Sequence, residues 1–242
     1  MIEITRHTLR VVDLPEALRG FRIAHLTDWH RSFRTPDALL RKAVELTNAE
    51  KPDVIVLTGD YVTDDKKDIA PCGEIIAGLS ARLGIYAVLG NHDHGTDGPA
   101  MARALEKAGV EMLTNGSAKP LAGLWIVGVD DDILGKPSLE RAFKDAEENK
   151  QTFILCHNPA FAEKLTEHNA IILTGHTHGG QVRVPFITAW KIRKIHAKHY
   201  ARGWFTLGKA RLYVNRGLGN VGFSFRFLSR PEIAIFTLHN AP

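Results

Sequence analysis

The chain lacks the features that mark a disulfide-stabilised or membrane-spanning protein. It has only two cysteines in 242 residues, Cys72 and Cys156. Two cysteines do not make a disulfide framework, so we expect a reducing compartment, with a secreted protein carrying one disulfide as the alternative. No apolar run is long enough for a transmembrane helix. The first 18 residues mix charges throughout, so we expect no signal peptide.

Acidic residues are missing from one long stretch of the chain. No Asp or Glu occurs from residue 168 to residue 231, where eleven Lys and Arg residues are found. The net charge of the whole chain is +4, so this stretch contributes +11 and the remainder −7. Such an asymmetry favours an anionic partner, namely phosphate, nucleic acid or an acidic membrane. The alternative is a charged face that contacts only water.

Short apolar runs alternate with amphipathic helical patterns along the chain. The runs that we predict to be buried strands are 21–28, 53–60, 85–91, 124–129, 152–157 and 170–176, with two more at 211–215 and 232–238. The first helical pattern starts with Thr35 as the predicted N-cap and Pro36 in the first turn. This alternation predicts an α/β protein, and without a linker or repeat we expect one domain over residues 1–242.

Five of the predicted strands are followed directly by Asp, Asn or His. In open α/β sheets, ligands bind at the carboxyl ends of the strands. One such residue is usually a turn residue or a hydrogen-bonded side chain, but five coincidences at one edge favour a binding site. The residues are Asp28 and His30, Asp60, Asn91 and His92, His157, and His176 and His178.

The residue types in this set indicate the cofactor. Two Asp, one Asn and four His provide oxygen and nitrogen ligands that suit Mn²⁺, Fe or Zn²⁺, whereas Cys156 alone cannot form a thiolate site. Seven ligands are too many for one ion and enough for two ions that share a carboxylate. Two ions about 3.5–4 Å apart stabilise an in-line displacement at phosphorus, and they lower the pKa of bound water from about 15.7 towards about 7.

These motifs carry a family resemblance. The blocks "DWH", "GD", "GNHD", "H" and "GHTH", in this order over nearly the whole chain, resemble the calcineurin-like metallophosphoesterases. The stretches "GHTHGGQVRVP", "LYVNRGLG" and "RPEI" further resemble a bacterial membrane-associated branch, which includes enzymes that hydrolyse UDP-2,3-diacylglucosamine in lipid A synthesis. The resemblance implies an α/β sandwich of two mixed β-sheets with flanking helices.

The resemblance also implies a division of roles between the residues. The first divalent ion would be bound by Asp28, His30 and His178, the second by Asn91, His157 and His176, and both by Asp60. His92 would not be a ligand but would stabilise the transition state and protonate the leaving oxygen. Manganese is the first expectation for both ions, with zinc or iron as alternatives.

The resulting functional hypothesis is a dinuclear-metal phosphohydrolase that cleaves a phosphoanhydride or phosphodiester bond by a metal-bound hydroxide. The best single substrate is UDP-2,3-diacylglucosamine, cleaved to lipid X and UMP at the membrane surface. One alternative is a soluble phosphodiesterase of broad, cyclic-nucleotide or nucleic-acid specificity. A remote alternative is a non-catalytic scaffold, which the complete ligand set disfavours. We expect a cytoplasmic protein, with peripheral attachment to the cytoplasmic face of the inner membrane as an extension of this hypothesis.

Other residues carry weaker predictions. Residues 183–205 interleave aromatic and aliphatic residues with Lys and Arg, which predicts a membrane-surface element or, alternatively, a core-packed helix with its charges in solvent. Asp93 is predicted either to orient a metal-binding imidazole or to cap a turn. Arg31 and Arg216 are candidate phosphate contacts. Residues 130–132 (three Asp) are predicted to form a turn and to support the site.

Overall fold

The strands of the protein form two six-stranded sheets. The computed structural model describes residues 1–147, 151–184, 188, 192 and 194–241. Within them the strands are β1 (Glu3–Val11), β2 (Arg22–Leu26), β3 (Val54–Thr58), β4 (Ile85–Val88), β5 (Glu111–Met112), β6 (Gly116–Leu121), β7 (Leu124–Gly128), β8 (Gln151–Leu155), β9 (Ile171–Thr174), β10 (Gly203–Leu207), β11 (Ala210–Val214) and β12 (Glu232–Asn240). The strand order is β1-β12-β2-β3-β4-β5 in the first sheet and β10-β11-β9-β8-β7-β6 in the second.

Each sheet has a parallel centre and antiparallel pairing further out. Strands β2 to β4 are parallel in the first sheet, and β7 to β9 are parallel in the second. Their residues are almost all buried, as expected for strands covered on both faces. Strand β12 runs antiparallel to β2, and β10 antiparallel to β11. Both sheets are therefore mixed.

The core lies in three layers. Large side chains that include Phe153 and Phe236 fill the space between the two sheets. The outer face of the first sheet is covered by α1 (Asp37–Ala49), α2 (Ile69–Ile76) and α3 (Asn91–Lys107). The outer face of the second sheet is covered by the short α4 (Leu139–Phe143) and the 3₁₀ segment Pro159–Leu165. The result is a sandwich of two sheets between two helical layers.

The predicted fold class, two mixed β-sheets packed as a sandwich with flanking helices, is confirmed. All eight predicted strands form, while β1, β5, β6, β10 and α2 escaped the sequence reading. The N-cap prediction for Thr35 is wrong, because α1 begins at Asp37 with Pro36 at the N-cap position. The Thr35 hydroxyl instead accepts a hydrogen bond of 3.0 Å from the Asn220 amide. Cys72 and Cys156 are both free and buried.

The predicted membrane-surface segment at 183–205 is only partly described. Residues 185–187, 189–191 and 193 lie outside the described residues, and with them Lys191 and Arg193. Of the others, Ile192 and Tyr200 are buried, and Trp204 packs at a ring-centroid distance of 4.9 Å against Tyr213. These three side chains do not form an exposed apolar face, so the membrane role of this segment stays a prediction.

Among the described residues, no helix combines the length and the hydropathy that crossing a bilayer requires.

A buried ion pair connects the start of β12 to the rest of the protein. The Glu232 carboxylate accepts hydrogen bonds from Thr5 Oγ1 (2.6 Å), from the Tyr213 hydroxyl (2.5 Å) and from Arg216 Nε (2.9 Å). The Glu232 side chain is 3% exposed and the Arg216 side chain 10%. Burial raises the pKa of Glu232, but Arg216 outweighs this and holds that pKa below its usual value. The charged pair is therefore part of the folded structure.

We predict that Glu232→Gln destabilises the protein strongly. The substitution keeps the shape of the side chain but leaves the buried Arg216 guanidinium without this counter-charge, which costs about 3–5 kcal/mol. The free energy of unfolding is measured by urea denaturation. Glu45→Gln, which breaks the exposed Lys42–Glu45 pair, is the control and should cost less than about 1 kcal/mol. Equal losses in the two variants would contradict the prediction.

Candidate metal centre

The carboxyl ends of strands from both sheets meet at one place. Asp28 and Asp60 each follow a strand of the first sheet by two residues, and Asn91 opens α3 just after β4. His157 and His176 follow β8 and β9 of the second sheet in the same way. Because the two sheets pack face to face, their edges bring these side chains together, as the sequence predicts.

Among the residues that the structure describes, three groups of side chains are compact enough to hold a metal ion. Within each group the candidate ligand atoms lie within 4.8 Å of one another. The groups are Asp28, His30 and His178; Asp60, His157 and His176; and His30, Asp60 and His92. The first two groups match the ligand division that the family resemblance implies, and the third places His92 beside them.

Asp60 lies at the centre of these groups. Its Oδ2 atom is 3.0 Å from His157 Nε2 and 3.3 Å from His30 Nε2. Its other oxygen, Oδ1, accepts a hydrogen bond of 2.9 Å from the His92 backbone amide. On the other side, Asp28 Oδ1 is 3.3 Å from His178 Nε2. One carboxylate thus stands between imidazoles that the resemblance assigns to different ions.

His157 and His176 face each other across the site. A backbone carbonyl only accepts hydrogen bonds, so His157 Nδ1 must donate to Thr58 O (2.7 Å), and His176 Nε2 must donate to Ile195 O (2.6 Å). The other two ring nitrogens, His157 Nε2 and His176 Nδ1, are 3.2 Å apart, and His157 Nε2 is also 3.0 Å from Asp60 Oδ2. Burial lowers the pKa of His157, but the Asp60 carboxylate outweighs this and holds that pKa well above its usual value. A cation bound by both nitrogens would take the place of the proton on His157 Nε2.

Two buried atoms of the predicted ligand set make no well-aligned hydrogen bond, namely Asn91 Oδ1 and His30 Nε2, although the latter lies 3.3 Å from Asp60 Oδ2. Burying a polar atom without a hydrogen bond is unfavourable, so such atoms call for an explanation. Both belong to the set predicted to bind metal, and their nitrogen and oxygen chemistry suits borderline divalent cations. The residues present therefore fit a dinuclear divalent metal site.

Burial also sets the protonation of the site. It lowers the pKa of His30 and of His176 to about 4, so both imidazoles are neutral near pH 7, which is the form that binds metal. Burial raises the pKa of Asp28 to about 6. For Asp60, burial is outweighed by its contact with His157, which holds the pKa of the carboxyl well below its usual range. The Asp60 carboxylate is charged.

The backbone is strained at the same residues. Positive φ angles are uncommon outside glycine, and such strain collects at functional sites. Five of the predicted ligands have φ between 42° and 69°, and they are Asp28, His30, Asp60, His176 and His178. Each turns the chain sharply just beyond a strand end, which is how the side chains come to point at a common centre.

Asp93 holds the backbone around the centre. Its carboxylate accepts hydrogen bonds from the backbone amides of Asp60 (2.8 Å), Tyr61 (2.8 Å) and Gly90 (2.9 Å). Burial, followed by the Asp60 charge, raises the pKa of Asp93 to about 7. Of the two alternatives for Asp93, the structure therefore supports the anchoring of turns. The carboxylate ties the loop after β3 to the loop after β4.

The predicted phosphate contacts are engaged elsewhere. Arg31 forms ion pairs with Asp37 (Nε–Oδ1 3.1 Å) and with Asp68. Arg216 pairs with Glu232 and with Glu3, at 2.9 Å each. Carboxylates hold both guanidinium groups, and their contact with phosphate stays a prediction.

The acidic run at 130–132 mainly closes a turn. Asp131 Oδ2 accepts from the backbone amides of Ile133 (2.9 Å) and Leu134 (2.7 Å). Asp130 Oδ1 lies 2.8 Å from His94 Nε2, on α3. These three Asp residues therefore hold a turn and contact α3 through His94.

One residue beside the candidate metal centre was not predicted from the sequence. Arg226, in the loop before β12, places Nη2 3.2 Å from His178 Nδ1. Its other guanidinium contacts include a 2.8 Å hydrogen bond to Arg216 O. No motif surrounds Arg226 in the sequence, and the fold of the 221–230 loop brings it to the predicted metal ligand His178.

Comparison with known proteins gives a consistent family relationship. The sequence profile of the family described as calcineurin-like phosphoesterase matches residues 21–180. The chain is 35% identical to the metallophosphoesterase YkuE of Bacillus subtilis, over 98% of this chain and 86% of that protein. It is 31% identical to the phosphodiesterase YaeI of Escherichia coli, over 98% and 88%.

A more distant relative and one solved structure add to this. The UDP-2,3-diacylglucosamine pyrophosphatase LpxG of Chlamydia trachomatis is 27% identical, over 97% of this chain and 88% of that protein. A crystal structure of a dimetal phosphatase from Danio rerio superposes with a TM-score of 0.58 at 12% identity, covering 91% of this chain and 93% of that chain. The likeness to this structure concerns the fold alone.

We predict that Gly90→Ala weakens metal binding. The backbone of Gly90 (φ −109°) suits alanine, but its Cβ would lie 2.7 Å from the Asp60 amide nitrogen and would also overlap the Asp60 carboxylate. Displacing Asp60 should lower manganese affinity about 10–100-fold, as measured by calorimetric titration. Gly95→Ala is the control, since its Cβ would meet nothing closer than 3.5 Å. Unchanged affinity in Gly90→Ala would contradict the assignment of Asp60 to the metals.

Proposed function

This chain belongs to the calcineurin-like phosphoesterases and is a metal-dependent hydrolase, and we propose that it uses two metal ions to cleave a lipid-linked phosphate ester. The observation that carries this proposal is the position of Asp60, whose carboxylate stands between histidines of two compact ligand groups. A complete set of ligands also argues against a non-catalytic scaffold.

The proposed ligands divide as the two compact groups do. Asp28, His30 and His178 would hold one ion, Asn91, His157 and His176 the other, and Asp60 both. When bound, two divalent ions supply Lewis acidity and bring the pKa of a coordinated water towards neutrality. We propose manganese as the physiological metal, because mixed oxygen and nitrogen ligands suit it, and zinc and iron are the alternatives.

His92 is the proposed catalytic residue. Its Nδ1 donates a hydrogen bond to Thr63 O (2.7 Å), and its backbone amide donates to Asp60 Oδ1 (2.9 Å). The ring is therefore fixed beside the metal ligands, against His30 at a centroid distance of 4.8 Å. With Nδ1 committed to the Thr63 carbonyl, Nε2 is the atom that can hold a proton for the leaving oxygen. A protonated His92 would also stabilise the charge that develops on phosphate.

The proposed substrate is UDP-2,3-diacylglucosamine. This choice is supported by the Chlamydia relative, which is 27% identical and carries that substrate in its name. The acid-free stretch at 168–231 gives the chain a positive region suited to an anionic lipid. The phosphodiesterase YaeI, at 31% identity, favours the second candidate, which is a soluble phosphodiesterase of broad, cyclic-nucleotide or nucleic-acid specificity.

We predict that the purified protein, loaded with Mn²⁺, converts UDP-2,3-diacylglucosamine to UMP and a lipid monophosphate. Chelation should abolish the reaction, and added Mn²⁺ should restore it, because the ligand set is proposed to act only with metal bound. Products are identified by mass spectrometry, with bis(p-nitrophenyl) phosphate as the parallel substrate. Turnover of that diester without turnover of the lipid would leave the second candidate standing and exclude the first.

We predict that His92→Ala lowers kcat towards a phosphodiester with an alkyl leaving group about 10²–10⁴-fold, the range for loss of a general acid, and lowers it much less towards bis(p-nitrophenyl) phosphate, whose p-nitrophenolate leaves without a proton. Metal content after dialysis should stay at the wild-type level, because His92 is proposed to act on the leaving group and not to bind metal. His239→Ala, at an exposed position near the end of β12, is the matched control. Full activity in His92→Ala would remove His92 from the mechanism.

A further inference from the structure

The loop before β12 exposes several large apolar side chains. Phe223, Phe225, Phe227 and Leu228 are each more than half exposed, and so is Phe33. We call these five residues the phenylalanine rim. In the part of the chain that the structure describes, nine large apolar side chains are exposed, and five of them belong to this rim. Exposed apolar side chains that cluster on one surface indicate an interaction site, whereas singly scattered ones do not.

Hydrogen bonds join the rim into one surface. The rings of Phe223 and Phe225 have centroids 5.7 Å apart. Arg34 Nε donates to Gly222 O (3.0 Å), and the same guanidinium lies over the Phe33 ring at 4.1 Å from its centroid, so Arg34 links Phe33 to the loop. At the other end, the Phe227 backbone pairs with Gln181 (2.9 Å) and Arg183 (3.0 Å), directly after the metal ligand His178.

The rim borders the metal centre. Arg226, between Phe225 and Phe227, is partly buried, and its Nη2 lies 3.2 Å from His178 Nδ1. Ser229 Oγ donates to His178 O (2.7 Å). Alternation along the loop therefore sends the phenylalanines outward and Arg226 inward, so that one short segment links the exposed surface to a metal ligand.

The charge around the rim is positive. The rim loop and the segment that it pairs with lie in the acid-free stretch at 168–231. Arg202 donates to Leu228 O (3.4 Å), and its pKa is lowered by burial and then by the positive charges of Arg183 and Arg216. Arg230 is exposed two residues beyond Leu228. Exposed apolar side chains surrounded by basic residues are suited to an anionic bilayer, because the apolar side chains can enter the acyl region while the basic residues contact the headgroup phosphates.

We propose that the phenylalanine rim inserts into anionic phospholipid bilayers and holds the metal centre at the membrane surface. The proposal deepens the proposed function and rests on it for the lipid-linked substrate, but membrane binding itself does not require hydrolysis. A second copy of the chain is the less suitable occupant, because two rims packed together would bring their basic surrounds into contact.

The test is co-sedimentation with phosphatidylcholine vesicles, with and without phosphatidylglycerol. The wild-type protein should sediment with the anionic vesicles. The triple variant Phe223→Ser, Phe225→Ser and Phe227→Ser should lose about tenfold or more in partition, given the apolar surface removed. Val12→Ser is the matched control, because Val12 is 75% exposed just beyond β1, at the edge of the first sheet opposite the metal centre. Equal sedimentation of the triple variant and the wild type would overturn the proposal.

A second measurement does not depend on removing the rim. Cys72 and Cys156 are buried, so Phe225→Cys offers a selectively accessible thiol for an environment-sensitive fluorophore. Its emission should shift to the blue with anionic vesicles, while the same label on Val12→Cys should not respond. An unshifted Phe225→Cys emission would contradict insertion. So would rim-dependent dimerisation in sedimentation velocity, or rim-dependent binding of single-stranded DNA, without vesicle binding.

The two proposals fail in different ways. Turnover of bis(p-nitrophenyl) phosphate should be the same in the triple variant and the wild type, because the rim side chains point away from the metal ligands. Vesicle binding without any metal-dependent hydrolysis would refute the proposed function and leave the rim proposal intact. Metal-dependent hydrolysis without vesicle binding would refute the rim proposal and leave the proposed function intact.

Discussion

The contact between Asp60 and His157 is the interaction on which the rest of the site depends. Asp60 belongs to the first sheet and His157 to the second, and Asp60 Oδ2 lies 3.0 Å from His157 Nε2. His157 also donates to Thr58 O, on the strand that leads to Asp60. The candidate metal centre therefore contains residues of both sheets. Any shift of one sheet over the other would separate the proposed ligands.

Strained backbone and buried charge accumulate at this centre. Positive φ angles at Asp28, Asp60 and His176 are unfavourable, and burial raises the pKa of Asp28 to about 6. Bound cations would compensate the carboxylate charge and would be coordinated by the imidazole nitrogens that the strained turns present. The strained turns therefore lower the stability of the folded protein, and a bound ligand would offset that loss.

Most residues of the candidate site could be predicted from the sequence, because the ends of strands are local features. Apolar runs identify the parallel strands, and the Asp, Asn and His residues directly after them had to share an edge. The sequence alone does not show which of its two predicted roles Asp93 has, because the partners of its carboxylate are backbone amides of a separate loop. Arg226 and the phenylalanine rim were missed for the same reason: their positions follow from pairing between distant segments, and 221–230 has no regular periodicity.

The pairing of β1 with β12 carries a consequence for how the chain reaches its native state. Glu3 lies in register with Glu232, and β12 separates β1 from β2. During synthesis, β1 has no strand to join until more than two hundred further residues have been added, and such non-local pairing slows folding. Until then the edge of β2 beside Asp28 stays unpaired, an opening that chaperones or competing strands can occupy.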